Sequence, residues 1–316
     1  MKITAGLGSI DDYPAYVEAG ADEVFAGYVP SSWMKKGRGL VPLNRREVLY
    51  VNVQIGSESE MHILADMVKE YGVPVTITFN SPFYPPAFLD DAAAVIEDCI
   101  HMGFSSFIVA DPALLIRLHD AGVTERASVH LSGDTAQINT GMVEVMKQLG
   151  ISRLIFQRRN SPEEIREIIK GQGEMEYEAF ALNEMCHYDG AFCSSLHCDE
   201  LSPTCRLPYR LRNRGKAEAS EKAEPADLTD EEPDDYLVGR GGCGLCALWK
   251  LQEAGITHLK LVSRGNYTED SIRDIKALRK ALEILEESSS EDDYIRNMKK
   301  ELFPSGCSRN CYYPVN

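Results

Sequence analysis

The sequence predicts an α/β protein built on a (β/α) barrel of the TIM-barrel type, incomplete or irregular in places, with a cysteine-rich C-terminal part. Two observations lead to this prediction. Strand-like and helical patterns alternate over roughly the first 180 residues, and eight strand candidates fall within that stretch. Regular alternation of strand and helix implies right-handed parallel crossovers. Strands at this density suit a barrel better than a doubly wound sheet.

The candidate strands are short runs rich in apolar and β-branched residues. In chain order they read KITAGL, EVFAGY, LYVNVQI, PVTITFN, SFIVAD, ASVHLS, RLIFQR and EYEAFA. Helical spacing of apolar residues appears between most of them, in SEMHILADMVKEYG, LDDAAAVIEDCIHMG, PALLIRLHDAG, TGMVEVMKQLG and SPEEIREIIKG. A glycine often follows the helical pattern, as helix C-termini prefer. Ser161 and Pro162, with the two acids after them, predict a helix start.

The alternation stops after Phe180, and the sequence changes character several times from there. The predicted barrel core, residues 1–182, is followed by a cysteine-rich loop at 183–214. Residues 215–236 are an acidic insertion with the composition of a disordered segment. Residues 237–290 return to strand and helix patterns, are predicted to close the barrel and include a long helix from about Glu269 to Glu287. Residues 291–316 are predicted to be a tail that carries a cysteine pair.

The charge of the chain bears on its partners and on its compartment. A formal net charge of −16 disfavours nucleic acid, because nucleic-acid affinity rests largely on cationic side chains that displace counterions. It favours small-molecule or protein partners instead. No stretch reaches the roughly 20 apolar residues of a membrane span, and the first residues lack a signal-peptide pattern. We therefore expect a cytoplasmic protein with no membrane partner.

Polar residues near the ends of the candidate strands are the first candidates for a site. Active sites of (β/α) barrels lie where the carboxyl ends of the strands meet, an end called the barrel mouth below. Glu23 lies just inside the second run, while Asn80, Asp111, His130 and Arg158 lie at or near the ends of four others. Each of these residues could equally be a turn or helix-cap residue.

Nine cysteines are the second feature. Cys99 stands alone in AAAVIEDCI, where an apolar helix face accounts for it. The other eight fall into local groups: Cys186, Cys193, Cys198, Cys205, Cys243, Cys246, Cys307 and Cys311. In a reducing compartment such thiols are more often metal ligands than disulfides. Four of them suit either a zinc ion or an iron–sulfur cluster, and CGLC on its own does not decide between these. A catalytic thiol has less support, because no cysteine stands out beside a base.

Several motifs together resemble a known family over most of the chain. They are VEAGADEVFAGY, FIVADPALL, VHLSGDTAQINT followed by LGISRLIFQRRNSPEEIREI, EAFALNEMCHYDGAFCSS, CRLPYRL and LCALWKLQEAGITHLKLVSR. In this order they resemble the collagenase-type peptidases of family U-32. The resemblance implies a barrel-like α/β fold and a [4Fe–4S] cluster held by four cysteines. It also implies oxygen-independent hydroxylation of aromatic rings, as in ubiquinone, or of RNA bases.

The resemblance also suggests the cluster ligands. Cys186 and Cys193 match the first two ligands, Cys205 matches the cysteine of the CR dipeptide, and Cys246 matches the late LC position. Cys198 is an alternative third ligand, because Leu201 stands where the family often has a cysteine. Cys243 competes with Cys246 for the fourth position. A second iron–sulfur or zinc centre could draw on Cys307 and Cys311.

A cluster tied by four thiolates has no open iron position, so it would transfer electrons or hold structure. We expect substrate at the barrel mouth, with His130, Asp111 and Glu23 as the catalytic candidates. The cations expected to bind an anionic group are Arg158, Arg159, Lys260 and Arg264. In relatives the hydroxyl donor is prephenate, so the resemblance implies a dicarboxylate of that kind. Arg159 and Val262 replace family acids, which puts the substrate in question.

Two other functions stay open on the sequence. A peptidase would need a nucleophile with a base, or a metal-bound water, and the chain has neither HExxH nor GxSxG. A non-catalytic, cluster-bearing subunit would need a paralogous protein partner, as some relatives do.

Overall fold

The barrel is seen in a computed structural model that describes residues 1–37, 41–45, 53–135, 138–186, 193 and 236–313. Parallel strands form one closed circuit in chain order, with the eighth strand hydrogen-bonded to both the seventh and the first. The strands are β1 (Lys2–Leu7), β2 (Glu23–Gly27), β3 (Val75–Phe79), β4 (Ser106–Val109), β5 (Ser128–Leu131), β6 (Arg153–Ile155), β7 (Glu176–Leu182) and β8 (His258–Leu261). The predicted barrel fold is confirmed.

One of the eight candidate strands is not a barrel strand. Residues 49–52 of the LYVNVQI run lie outside the described residues, and the rest contributes a bridge between Ile55 and Tyr28. The reason is that β3 pairs directly with β2, Val24 facing Val75, so both edges of β2 are already used. The eighth strand comes instead from β8, late in the chain. Placing eight barrel strands before residue 183 was therefore wrong by one.

Helices connect the strands and surround the barrel. In the described part they are α1 (Tyr13–Ala19), α2 (Ser31–Gly37), α3 (Glu58–Tyr71), α4 (Pro86–His101), α5 (Pro112–Asp120), α6 (Thr140–Gln148), α7 (Pro162–Ile169), α8 (Leu248–Glu253), α9 (Thr268–Glu287) and α10 (Glu291–Leu302). Ser161 and Glu164 form a reciprocal capping box at the start of α7, which satisfies two otherwise unpaired backbone N–H groups. The helix start predicted there is confirmed.

The predicted tail also contains a helix. Helix α10 begins after Ser290, whose side chain accepts a hydrogen bond from the Asp293 amide. Three acidic residues in its first turn interact favourably with the positive end of the helix dipole and stabilise the helix. Its residues Tyr294 and Met298 are fully buried, and the Tyr294 hydroxyl donates to the Leu245 carbonyl at 2.6 Å. Residues 291–302 are thus packed on the barrel rather than forming part of a tail.

The two faces of the barrel strands have opposite chemistry. Outward residues such as Ile3, Ala5 and Leu7 of β1 are fully buried beneath the helices. Because side chains alternate along a strand, the residues between them point to the barrel axis, and many of those are polar. They include Thr4, Glu23, Thr76, Thr78, His130, Arg153, Glu178, His258 and Lys260, each less than a tenth exposed. The interior is therefore filled by a polar and charged network.

Arg153 is at the centre of that network. Its guanidinium donates to both carboxylate oxygens of Glu23, at 2.7 and 3.0 Å, and to Glu178 at 3.1 Å. It also donates to Glu176 at 2.7 Å, and the Nε2 atom of His258 lies 2.9 Å away. Burial alone would raise the pKa of Glu23, but hydrogen bonds from His258 and Arg153 outweigh it and hold that pKa far below its usual range. The Glu23 carboxylate is thus charged at every physiological pH.

Removing Arg153 should destabilise the protein far more than removing an exposed arginine. Arg153→Met would leave Glu23 buried without its main partner, so we expect a loss of about 3–5 kcal/mol in the free energy of unfolding. Arg126→Met is the matched control, because Arg126 pairs with Glu97 at the surface, where such a pair is worth about 1 kcal/mol or less. Urea unfolding of both variants measures the difference, and equal losses would contradict the role given to Arg153.

Candidate functional site

Arg264 and Arg158 reach the barrel mouth from two different strands. Arg264 follows β8, and its Nη1 atom lies 3.4 Å from the Thr78 hydroxyl on β3. Its guanidinium also lies 5.4 Å from the ring centre of Phe25. Arg158 follows β6, and its guanidinium stacks 3.7 Å from the ring centre of Phe180 on β7. The mouth therefore carries positive charge in a protein that is strongly acidic.

Gly27 gives Arg264 the space to reach across. This residue ends β2, facing the barrel axis. A methyl group there would lie 1.6 Å from the Gln54 Oε1 atom and 2.8 Å from the Arg264 Nη1 atom. Both distances are far inside van der Waals contact. Any side chain at position 27 would displace the two polar groups that occupy this side of the mouth.

Sequence reasoning missed a third arginine at the mouth. Arg45 lies in the connection between β2 and β3, its side chain is 7% exposed, and its Nε atom lies 3.8 Å from a carboxylate oxygen of Asp134. Its backbone amide donates to the Asn80 side chain at 3.1 Å. Asn80 is therefore a residue that orders this connection. Asp134 follows β5, so the search for polar residues after strands could have found it; Arg45 precedes a predicted strand and gave no such signal.

Two of the four predicted substrate-binding cations are placed differently from Arg158 and Arg264. The Lys260 ammonium is buried inside the barrel, 2.8 Å from Glu178 and 3.7 Å from the ring centre of Phe25. Burial lowers the pKa of Lys260, although the Glu178 carboxylate opposes that shift. Arg159 is exposed on the loop after β6. Lys260 thus lies inside the barrel beneath the mouth, and Arg159 lies outside it.

His130 is inside the barrel and neutral. Its Nε2 atom lies 3.1 Å from the Ser128 hydroxyl and 3.3 Å from the Ser106 hydroxyl, and the side chain is almost fully buried. Burial, with the Arg153 charge as the next cause, lowers the pKa of His130 to about 3. A histidine in this state is a weak base at neutral pH.

The structure assigns Asp111 and Glu23 to structural positions. Asp111 caps α5: its Oδ1 atom accepts from the Ala113 amide at 2.8 Å and its Oδ2 atom from the Tyr84 amide at 2.6 Å. Glu23 is the first residue of β2, so it lies at the opposite end of that strand from the mouth. Glu23 is therefore not at the mouth, where the sequence led us to expect it beside the substrate.

The chain turns sharply after β7, where the predicted ligands begin. Asn183 and Glu184 both have left-handed backbone angles, with φ of 67° and 52°; asparagine tolerates this region, whereas it costs a residue such as Glu184 about 1–2 kcal/mol. Backbone hydrogen bonds hold this turn: the Asn183 and Met185 amides donate to the carbonyls of Gly242 and Gly241. Strain of this kind clusters at functional sites. Cys186 follows directly, half-buried like Cys193.

Only some of the predicted cluster ligands lie within the described residues. Cys198 and Cys205 lie outside the described residues, as does most of the acidic insertion at 215–236. Within the ranges that are described, no three or more His, Cys, Asp or Glu side chains are grouped to hold a metal ion. Cys246 does not meet Cys186 and Cys193 in such a group. It lines a pocket with Cys243, Cys307 and Cys311, which we call the thiol pocket.

The comparison with known proteins identifies the family. A family model described as peptidase family U32 matches residues 8–313, nearly the whole chain. The chain belongs to peptidase family U32. Among solved structures, that of the U32 peptidase Mk0906 is 16% identical with a TM-score of 0.43, covering 61% of this chain and 73% of that one. A candidate dihydrodipicolinate synthetase from Pseudomonas aeruginosa is 8% identical with a TM-score of 0.50, covering 96% and 81%, and shares the fold.

The curated relatives of this U32 chain are tRNA hydroxylation proteins. Protein P of Escherichia coli (strain K12) is 27% identical over 225 residues, which cover 68% of this chain and 46% of that protein. Protein P1 of Bacillus subtilis (strain 168) is 25% identical over 272 residues, 83% of this chain and 58% of that protein. The chain thus spans about half the length of the relatives it matches. No helix among the described residues is long and apolar enough to cross a membrane.

The buried state of His130 predicts a dependence of stability on pH. Because its pKa falls from 6.5 to about 3 on folding, unfolding takes up a proton below about pH 6.5. Its stabilising contribution is complete above that pH and is lost as pH falls, by up to about 1.4 kcal/mol per unit. His130→Asn should therefore show a flatter loss of unfolding free energy between about pH 7 and pH 5.

Urea unfolding of both proteins at several pH values measures this difference. Asp274 works in the opposite direction, because burial raises its pKa from 3.8 to about 6. Its contribution is present at low pH and lost as pH rises through about 6, in both proteins alike. Subtracting the two profiles removes it. Parallel profiles would mean that His130 does not titrate on unfolding.

Proposed function

We propose that this U32 chain acts in oxygen-independent hydroxylation, binding an anionic hydroxyl donor at the barrel mouth and using a cysteine-held iron–sulfur centre for electron transfer. The names of the curated relatives support hydroxylation as the class of reaction. The observation that carries the proposal is that Arg158, Arg264 and Arg45 all lie at the mouth, the end of the barrel where the chain bearing Cys186 leaves β7.

The anion site follows from the chemistry of these three arginines. Each guanidinium can give paired hydrogen bonds to a carboxylate, and each comes from a different connection of the barrel. Arg264 and Arg158 are held partly by aromatic rings, at 5.4 Å from Phe25 and 3.7 Å from Phe180. Ring faces attract the cation and fix its position at the mouth. A dicarboxylate of the prephenate kind offers one carboxylate to each side.

The same geometry limits which groups move protons. His130 is neutral and enclosed, and both oxygens of Asp111 accept backbone hydrogen bonds. Neither is in position to exchange a proton with a ligand at the mouth. A carboxylate that does lie there is Asp134, 29% exposed beside Arg45. We assign it the role of proton acceptor.

Cysteine thiols are the proposed ligands of the redox centre. Cys186 follows β7 at the mouth, and Cys193 comes seven residues later in the chain, which suits a cluster placed close to the substrate. Together with Cys205, and a fourth ligand among Cys246, Cys243 and Cys198, they would hold it. Such a centre supplies single electrons when bound. The surrounding side chains would tune its potential by charge and hydrogen bonding.

Two kinds of molecule are candidates for the substrate that accepts the hydroxyl group. The relatives act on tRNA by name, but they are about twice as long as the matched segment. The net charge of −16 works against tRNA binding by this chain alone. An aromatic ring, or an RNA base presented by a paralogous partner, fits the same barrel mouth.

A peptidase function has less support from the geometry. The described chain does place the Ser128 hydroxyl 3.1 Å from His130, a distance that suits a nucleophile and its base. The histidine is only 3% exposed, however, and it lies inside the barrel network. A peptide bond cannot reach this pair without unfolding the barrel.

Binding of prephenate to the anaerobically purified protein tests the proposal. We expect Arg158→Ala and Arg264→Ala each to weaken binding about 10- to 100-fold, since a hydrogen bond to a charged group is worth about 1.5–3 kcal/mol. Arg126→Ala removes a surface arginine far from the mouth and should bind like wild type. Calorimetry gives the dissociation constants. Failure of prephenate to bind, or equal binding by all variants, would remove this anion site.

A further inference from the structure

The thiol pocket brings together two cysteine pairs that are distant in sequence. Cys243 and Cys246 precede α8, while Cys307 and Cys311 follow α10. All four line the same small cavity, together with Lys299, Arg309 and Tyr313. The proposed iron–sulfur centre would take at most one of these four thiols, so it does not explain why all four share one cavity. Cys243, Cys246 and Cys307 are half-buried and Cys311 is exposed, whereas Cys99 on α4 is a single buried cysteine that behaves as a small apolar residue.

The backbone fixes the two pairs against each other. Cys243 forms a β-bridge with Cys311 on one side and with Leu182, the last residue of β7, on the other. Its amide donates to the Asn310 carbonyl at 2.8 Å, and the Tyr312 amide donates to the Cys243 carbonyl at 2.9 Å. The Ser308 hydroxyl adds a bond to the Gly239 carbonyl at 2.9 Å. The two cysteine-bearing segments are therefore held in a set register.

The spacing, the size and the charge of the pocket all suit one metal ion. Each pair has the two- to four-residue gap typical of zinc sites, CGLC and CSRNC. The free volume is about 20 Å³, room for roughly one water-sized sphere, which is enough for a single ion. Four thiolates around a divalent ion leave a charge of about −2, which Lys299 and Arg309 at the rim would offset.

We propose that Cys243, Cys246, Cys307 and Cys311 bind a single thiophilic metal ion, zinc by preference, as a tetrahedral four-thiolate centre. The thiols do not yet surround one point, so binding requires them to rotate about their Cα–Cβ bonds and to release their protons. The centre would fasten residues 307–313 to the end of β7. It also removes Cys246 from the ligands available to the iron–sulfur centre, and the cysteines then left for that centre are Cys186, Cys193, Cys198 and Cys205.

Metal content of the full chain, purified without air, tests this site. We expect about one zinc ion per chain in wild type. The double variant Cys307→Ser/Cys311→Ser and the single variant Cys243→Ser should lose it. Cys99→Ala is the matched control, because it removes a thiol outside the pocket, and Cys186→Ser should lose iron but keep zinc. Loss of a single iron ion in place of zinc, with no change in acid-labile sulfide, would equally support a one-ion site.

A second measurement covers variants that fail to fold. Wild-type protein stripped of zinc and titrated with Co²⁺ should give the visible absorption bands of a tetrahedral thiolate site, and zinc should displace them. Zinc content that is unchanged in the pocket variants would overturn the proposal. So would loss of several irons together with sulfide from those variants, or a thiol titration showing a disulfide in the pocket. None of these outcomes depends on hydroxylation activity.

Discussion

The contact between Arg153 and Glu23 joins two strands, β6 and β2, that lie on opposite sides of the barrel. Their side chains meet across the axis, and His258 and Glu178 complete the coordination from β8 and β7. Charges taken this far from water must be paired, because an unpaired one costs several kcal/mol. The network therefore favours the closed circuit over partly open ones that would leave its members unpaired. Replacement by well-packed apolar residues could give similar stability, so the gain is one of specificity.

The network also supports the cationic side chains that lie nearer the mouth. Lys260 pairs with Glu178 and lies against one side of the Phe25 ring, while Arg264 lies further along the same ring. Cationic side chains are thus layered along the axis, with Lys260 inside the barrel and Arg264 at the mouth. An acidic protein would otherwise repel a small dianion, whereas clefts with a local cationic lining concentrate one. This layering is consistent with the proposed anion site in a chain of such negative charge.

Local signals in the sequence predicted most of the fold. Alternating patterns located seven of the barrel strands, and Ser161 with its proline and acids located α7, because these signals act within one turn or one strand. The candidate site was harder to predict. Glu23 and Arg158 both lie near strand ends, but which end depends on a boundary of one or two residues. Arg45 reaches the mouth through a long connection, and Cys243 meets Cys311 only through tertiary pairing. Neither contact leaves a periodic trace in the sequence.

The burial of the side chains along the barrel axis has a kinetic consequence. The side chains from Glu23 up to Lys260 are buried, so they close the described barrel below the mouth and leave no passage through it. Whatever binds at the mouth has to leave by the way it came. A spent donor that keeps its carboxylates would therefore compete with fresh donor for the same arginines, and turnover would slow as it accumulates.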